Sequence, residues 1–424
     1  MLHAAEERFL VYGRRSCDER RTAYDYHMTA VLIRKYGGEA LASPSRIRAA
    51  AAQVVARAEK VPLVVVASAR RGVTDHLLEL VREVGARRAS RSADRAVAAG
   101  EIVSAALLAA AIEQSGRKAV ALDGREAGLI ATGDWASARL RQVQPRRIRQ
   151  ILSAGAIPVV AGFQARRRRG LATLGRGGSD LTAVALAGAL GGACELLKDV
   201  RSLHTADPRV CPDARSLSHV SHQFLVDLAR AGARVCHPRA AVVARQGNIP
   251  LRFAHFQDDA PGTLVTRAPT DHVAIVLRRN VALLSTARTS PPDDSAFRSL
   301  CRLLRALDAT AAVTVRRDGH GARAFIVVAR DVEAAARVRI EAAGFSPSDG
   351  TRAPLDAVTV IGARHPQRHA QLRAAITAAG ASPLHVSVTR KRLLLTMEPA
   401  QGDALLQALH REFVEGVPEV RCSA

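Results

Sequence analysis

The stretch Thr173-Leu174-Gly175-Arg176-Gly177-Gly178-Ser179-Asp180-Leu181-Thr182-Ala183 constrains this chain more than any other. Glycines let a backbone come close to an anion. Residues 183–190, which follow, are good helix formers. Backbone N–H groups at such a helix start form an anion site, and Arg176 in the same loop can fork onto a carboxylate. The chain around this loop alternates strand and helix signals. Residues 31–33 read as a short buried strand running into Lys35 and the Gly37-Gly38 turn, and residues 45–59 as an alanine-rich helix. The continuous run Leu63-Val64-Val65-Val66 suits a strand covered on both faces, and a helix is expected from Asp75. Further alternations fall around 119–122, 157–161 and 196–200. That rhythm predicts an α/β layered domain with a mainly parallel sheet.

At 424 residues the chain exceeds one ordinary core, so two or three domains are expected. Hydrophobic residues make up 48%, and no run of 18 or more uninterrupted apolar residues is present, so no membrane span is expected. The first residues lack the apolar core of a secretory signal. The six cysteines show no metal-ligand spacing and fit reduced thiols, which implies a cytoplasmic protein with no protein-held metal. A net charge of +23 raises the question of nucleic acid. Only five of the 62 basic residues are lysine, the arginines are spread throughout, and aromatic residues for base stacking amount to 3%. Neither nucleic acid nor membrane is expected as a partner.

The glycine loop has company. Upstream stand Lys35-Tyr36-Gly37-Gly38 and Gly100-Glu101; downstream stand Lys198-Asp199, Thr205-Ala206-Asp207-Pro208-Arg209 and Gly232-Ala233-Arg234-Val235-Cys236-His237-Pro238-Arg239. In that order and at those spacings the chain resembles the aspartokinases of the amino-acid kinase superfamily, from about Val31 to Thr263. The resemblance implies a kinase that uses ATP and Mg²⁺ to convert L-aspartate to 4-phospho-L-aspartate, the first step of aspartate-family amino-acid biosynthesis, lysine included. It implies that Lys35 contacts the phosphates and stabilises transferred charge, and that Asp180 organises the reacting centre. Ser68, Thr74, Glu101, Arg176 and Ser179 would hold the amino acid, with Arg176 on its carboxylate and Glu101 on its ammonium. Gly37, Gly38, Lys198, Asp199, His204, Arg209 and Arg234 would line the nucleotide. Mg²⁺ would be held by the ATP phosphates rather than by a protein cage. Taken singly, Glu101 has a solvated helix residue as its alternative reading, and the arginine run 166–169 reads as a solvated hairpin loop.

Residues 1–28 form an N-terminal extension and 29–267 the catalytic domain under this reading. Beyond a linker the pattern changes to short βαβ-type units, one with strands near 272–277 and 324–328 and a helix around 295–307. The second has strands at 357–361, 384–388 and 393–397, with helices at 367–379 and 402–413. They resemble degenerate paired ACT domains, 272–345 and 353–424, which implies a homodimer formed through them. Gly380 is followed by Ala381-Ser382-Pro383, and Ser290-Pro291-Pro292-Asp293-Asp294 stands where an effector loop holds glycines, so feedback by lysine or threonine is expected to be weak. Other departures lie nearer the chemistry. Glu39-Ala40 and Ala98-Ala99 replace hydroxyl pairs, Lys198 replaces a threonine, Arg201-Ser202 an Asp-Gly, His204 a tyrosine and Arg234 a lysine. Glu39 and Lys198 are expected to lie in or near salt-bridge reach, screening the triphosphate. Two alternatives stand beside the aspartate kinase: a kinase for another amino acid, and a non-catalytic amino-acid-binding regulator.

Overall fold

The computed structural model describes residues 31–415 apart from 169, 176, 259, 287–293, 308–309, 319–320, 349–352, 363–367 and 390–391. The expected extension 1–28, the carboxylate-clamp residue Arg176 and most of the Pro-Pro segment lie outside the described residues. The chain divides into two compact units. The first comprises residues up to Leu203, Ser218–His222 and Arg239–Ala268; the second comprises His204–Leu217, Gln223–Pro238 and the chain from Pro269 onward.

The first unit is built on an eight-stranded sheet. In spatial order its strands are His219–Ser221, Thr263–Thr266, Leu251–His255, Ala193–Lys198, Leu32–Tyr36, Leu63–Ala67, Ile157–Ala161 and Ala119–Leu122. The recorded pairings are parallel except that between Leu251–His255 and Thr263–Thr266. The central strands Leu32–Tyr36, Leu63–Ala67 and Ile157–Ala161 are buried at every position; the last two are apolar runs, as burial on both faces requires, whereas the first buries Arg34 and Lys35 as well. Successive side chains alternate across the sheet. Leu32 and Tyr36 therefore join Leu63, Val65, Ala67, Ile157, Val159 and Ala161 in one core with Ile47, Ala51, Val54, Leu108 and Ile112. Burying each large side chain of that core contributes about 1.5–3 kcal/mol. Lys35 faces the other way.

Three helices frame this sheet. Pro44–Ala58 starts where the Ser43 hydroxyl accepts from the Arg46 N–H, with proline in the first turn. Arg91–Gln114 starts at Ser90, which caps the Ala93 N–H in the same way. It is long and apolar enough by length and composition to cross a membrane, and half of its most apolar 18-residue window is buried inside the protein. Gly178–Leu190 is buried from Gly178 through Ala187, and its small residues admit close approach to the strands. Gly162 is part of that approach, because a Cβ there would lie 2.7 Å from the Ser179 Cβ. A second sheet of Arg139–Val143, Leu129–Thr132, Gln164–Arg167 and Gly170–Thr173 delivers the chain into the glycine loop. Arg166 and Arg167 of the arginine run thus lie in a hairpin strand rather than in a loop, with the Arg167 guanidinium 4.3 Å from the Trp135 ring centroid.

The second unit contains two consecutive βαββα repeats sharing one six-stranded antiparallel sheet. Its spatial order is Ala312–Asp318, Gly321–Ala329, Ala274–Ser285, Leu355–Ile361, Arg392–Met397 and His385–Val388. The first strand of each repeat pairs with the other's, so the repeats meet at Ala274–Ser285 and Leu355–Ile361. This is the α+β, ACT-like pattern expected, with a strand at Ala312–Asp318 and a helix at Glu333–Ala342 that the sequence reading did not include. The helices Asp294–Leu307 and Glu333–Ala342 contribute to one apolar core, and Arg368–Ala378 and Pro399–His410 to another. Between the sheet's remaining faces lie Val281, Ala312, Val327, Leu355, Ala357 and Leu394.

Candidate active site

Lys35 lies inside the strand Leu32–Tyr36, one residue from its end, so its Cα is fixed by pairing on both sides with Val66 and Leu196. Its Nζ is 2.9 Å from Asp180 Oδ1. Lys198, the last residue of the strand Ala193–Lys198, donates to the same carboxylate at 2.9 Å to Oδ2 and 3.2 Å to Oδ1. Asp180 stands in the first turn of Gly178–Leu190, where Gly177 caps the helix with φ 76° and no side chain does; the Gly178 N–H donates to Gly175 O and the Asp180 N–H to Gly177 O. Glycine at 177 accommodates that left-handed conformation. Two buried charges, Lys35 and Asp180, and the half-buried Lys198 therefore converge at a helix start without a side-chain cap. Burial opposes the ionisation of Asp180, but the ammoniums of Lys198 and Lys35 outweigh it and hold the carboxyl well below its ordinary value. Burial lowers the Lys35 pKa, Asp180 opposes the fall, and Lys198 adds to it.

The loops after the first two strands lie over this cluster. A Cβ on Gly37 would sit 3.7 Å from Lys35 Nζ, and one on Gly38 would sit 2.7 Å from the Ala69 carbonyl. The glycine at 38 is required because the two loops touch backbone to backbone. The Ser68 N–H donates to Tyr36 O, and the Arg71 N–H donates to Gly38 O. Ser68 follows the second strand, while Thr74 lies in the first turn of the helix Val73–Glu83. Both are partly exposed, and Ser179 is buried beside Gly162.

Glu101 is 3% exposed, on the inner face of Arg91–Gln114, so the solvated-residue reading is overturned. Its neighbour Gly100 packs against Ala69 and Val73, which draws the helix onto that loop. Burial pushes the Glu101 carboxyl up to about 7, against the Ala69 N–H and the charge of Lys35, which favour ionisation. Its Oε2 is buried and has no hydrogen-bond partner. A buried carboxylate with a vacant acceptor, close enough to feel Lys35, suits a cationic group.

Glu39 does not pair with Lys198 as expected. Its carboxylate is engaged by Arg46, held in the first turn of Pro44–Ala58, and by Arg71 at 3.4 Å. The Arg46 hydrogen bond leads the effects that hold Glu39 below its ordinary value. Helix geometry explains the outcome: Ser43 fixes the start of Pro44–Ala58, which places Arg46 over Glu39 and leaves Lys198 to Asp180.

One residue of this region escaped sequence reasoning. Asp94 is fully buried in the first turn of Arg91–Gln114 and accepts from Arg88 Nη1 at 2.6 Å, the Ala136 N–H at 3.0 Å, the Thr173 N–H at 2.8 Å and Thr173 Oγ1 at 2.9 Å. It anchors the strand end from which the glycine loop departs. An acid in a first helical turn is ordinary, so nothing local distinguished it.

Asp199 is exposed just after its strand. His204, Arg209 and Arg234 belong to the second unit. There Arg209 closes bidentately on Asp207 at 3.0 and 2.8 Å. Thr205 is buried, with its Oγ1 2.9 Å from His410 Nε2, and His410 Nδ1 is 2.8 Å from Glu415 Oε1. Arg234 is exposed.

Comparison with known proteins adds to this geometry. The family model of the amino acid kinase family matches residues 30–255. An aspartokinase of Corynebacterium efficiens is 41% identical over 246 residues, which cover 57% of this chain and 58% of that protein. One from Geobacillus stearothermophilus is 37% identical over 251 residues, covering 58% and 62%. The chain thus matches less than two thirds of the length of these relatives. The fold matches Escherichia coli aspartokinase III, solved with aspartate and ADP, with a TM-score of 0.75 at 20% identity over 90% of this chain and 99% of that one. It also matches a Synechocystis aspartate kinase, with a TM-score of 0.51 at 26% identity over 92% and 70%. With more than half its length matched by the family model, and with the parallel sheet and buried lysine–aspartate cluster in place, this chain belongs to the amino acid kinase family.

Proposed function

We propose that this chain is an ATP-dependent aspartate kinase, forming 4-phospho-L-aspartate and ADP. The Lys35–Asp180–Lys198 cluster at the open start of Gly178–Leu190 carries the reading. Aspartokinases are among its relatives at 37–42% identity, and the E. coli protein of similar fold was solved with aspartate and ADP. In the reaction an oxygen of the substrate side-chain carboxylate attacks the γ-phosphorus. The bond from that phosphorus to the β–γ bridging oxygen breaks, and its electrons leave with ADP. Such a transfer asks for positioning and charge stabilisation rather than covalent help.

The residues divide this work. The Gly37-Gly38 backbone and the glycine-lined start of Gly178–Leu190 cradle phosphate, and Lys35 places its ammonium on the transferred group. Asp180, held ionised, fixes Lys35 in place. Glu101 takes the substrate ammonium with its vacant Oε2, and Arg176 takes the α-carboxylate, with Ser68, Thr74 and Ser179 supplying further polar contacts. Asp199, His204, Arg209 and Arg234 serve the nucleotide. Mg²⁺ enters with the nucleotide, where it neutralises phosphate charge. Residues 29–267 are assigned to catalysis, and 272–345 and 353–424 to ACT-like repeats through which a homodimer forms. A cytoplasmic place in amino-acid biosynthesis follows from this reading.

The test is ADP release by the full chain against a panel of acidic amino acids. ADP formation with L-aspartate supports the proposal. ADP with a different acceptor transfers the reading to another amino-acid kinase, and amino-acid binding without ADP points to a regulator.

A further inference from the structure

The segment that carries Arg209 is folded onto the last α-helix of the described chain, and both belong to the second unit. Thr205 opens that segment. Its Oγ1 accepts from the Arg215 N–H at 2.9 Å and lies 2.9 Å from His410 Nε2. His410 ends the helix Pro399–His410, is fully buried, and places its Nδ1 2.8 Å from Glu415 Oε1. The Glu415 carboxylate can only accept, so Nδ1 carries the ring proton, and Nε2 of the neutral ring accepts from the Thr205 hydroxyl. A hydroxyl, an imidazole and a carboxylate in that order could serve a nucleophile, but Thr205 is 4% exposed and meets no substrate. The relay holds backbone instead. Other contacts act with it: Thr205 O accepts from the Ile275 N–H at 2.7 Å, and Val210 O accepts from Gln407 Nε2 at 2.7 Å. Ala206 and Cys211 share one core with Leu405, Leu409 and Phe413.

We propose that His410 is a positioning residue for nucleotide binding: through Thr205 it sets the place of residues 207–209, so that nucleotide affinity depends on how the last helix holds this segment. The inference rests on the kinase reading, which gives Arg209 to the nucleotide; His410 acts through Thr205 and touches no ligand. Between the anchors at 205–206 and 210–211 the stretch is closed on itself, with Arg209 bidentate on Asp207. Its position is therefore set by those anchors. Loss of the Thr205 hydroxyl would orphan His410 Nε2 and the Arg215 N–H together. Buried polar groups left unmade are costly, so the start of the segment would shift to satisfy them and carry Arg209 with it.

Full-chain Thr205→Val, Thr205→Ser and His410→Leu test this, with ADP affinity read by calorimetry and the KM values for ATP and for the amino acid read from ADP release. Thr205→Val and His410→Leu are expected to weaken ADP and raise the ATP KM by about tenfold, the upper end of what one hydrogen bond contributes, with the amino-acid KM held within about twofold. Thr205→Ser keeps the hydroxyl and should match the wild type. The Thr205→Val/His410→Leu pair should bind ADP no more weakly than either single variant, because both break one link. Circular dichroism checks folding, and Glu415→Ala, at the half-exposed end of the relay, replaces any variant that does not fold, with an expected loss of about threefold. Unchanged ADP affinity in Thr205→Val, additive losses in the pair, or equal rises in both KM values overturn the proposal and leave the kinase reading intact. A wild type that neither binds nor releases ADP removes the nucleotide reading and this inference with it.

Discussion

The sheet of the first unit gathers buried charges into clusters on two carboxylates, whereas the sheet of the second buries mainly neutral polar groups, with Asp356 and its 3.2 Å pairing to Arg279 as the charged exception among the described residues. In the first, two consecutive residues of one strand point to opposite faces and both are buried cations. Arg34 joins a cluster on Glu195, with Arg34 Nε at 2.6 Å, Arg252 at 3.1 Å and Arg57 at 3.6 Å. Lys35 joins Asp180 and Lys198 on the other face. In the second unit the corresponding polar groups are Thr314 and Ser387, 2.9 Å apart, together with Thr396 and His385. Thr314 and Ser387 stand on the strands at opposite edges of the six-stranded order, so their bond shows that the sheet curls until its edges approach. Arg316 crosses the same gap to Val386 O at 2.7 Å. Charges buried in the first sheet hold one another in place. Neutral hydroxyls in the second hold a shape. Buried charges are expensive to leave unpaired and hydroxyls much less so, so substitutions in the two sheets should differ in scale.

Lys35→Ala should lower phosphoryl transfer by about a thousandfold or more, at the upper end of what loss of one electrostatic stabiliser costs, with the fold retained. Steady-state turnover alongside circular dichroism checks it. Turnover within threefold of the wild type removes Lys35 from the chemistry and blurs the contrast between the two faces of its strand. On the opposite face, Glu195→Gln should destabilise the first unit by about 3–5 kcal/mol, because three guanidiniums lose their common carboxylate. Chemical denaturation measures this; a loss below about 1 kcal/mol would show that the cluster is not a structural anchor.

Asp94→Asn should act in between. The amide keeps the shape but replaces one acceptor with a donor facing Arg88 or a backbone N–H. The KM for the amino acid should rise about tenfold through a displaced glycine loop, with nucleotide affinity little changed. A uniform loss of stability with an unaltered KM would make Asp94 a scaffold residue only.

These sites were not equally legible in the sequence. Lys35, Gly37-Gly38 and the loop ending at Asp180 are local motifs whose residue types announce phosphate chemistry, and the structure brings Lys35 and Asp180 together. Lys198 stood out only as a departure, and its partner was misjudged because Asp180 lies 18 residues away across a helix. Asp94 and Glu195 were invisible for the same reason in stronger form, since their partners come from 79 and 161 residues away. The strand Ala312–Asp318 escaped because its alternation of small apolar, hydroxyl and arginine residues matches an exposed edge as well as a folded-over one. The burial of Glu101 followed from Gly100, whose missing side chain lets the helix close on Ala69 and Val73.

Glu101 gives a pH signature. With its carboxyl raised to about 7 from an ordinary 4.5, the folded chain holds a proton that the unfolded chain has released. That group's contribution to stability therefore falls as pH rises between about 4.5 and 7. Binding of a substrate ammonium needs the ionised form, so the amino-acid KM should fall severalfold as pH rises from about 6 to 8. Glu101→Gln should flatten that profile and raise the KM throughout. An inflection that survives the substitution belongs to another group.

The smallest effect is expected in the second unit and has the opposite sign. His385 is 5% exposed, its ring stacks on Phe325 at a centroid distance of 4.5 Å, and its Nε2 is buried with no hydrogen-bond partner. Burial, aided by the charge of Arg316, lowers its pKa below the ordinary 6.5. The unfolded chain therefore takes up this proton first, and the group's contribution is present above about 6.5 and lost as pH falls below it. His385→Phe keeps the stacked ring and removes the unsatisfied nitrogen. It should raise stability by about 1 kcal/mol and weaken the acid sensitivity of the second unit, leaving turnover unchanged. Thermal melts at pH 7.5 and 5.5 decide it. A less stable variant at both pH values would mean that His385 has a polar role, and that this sheet, like the first, places a group for use.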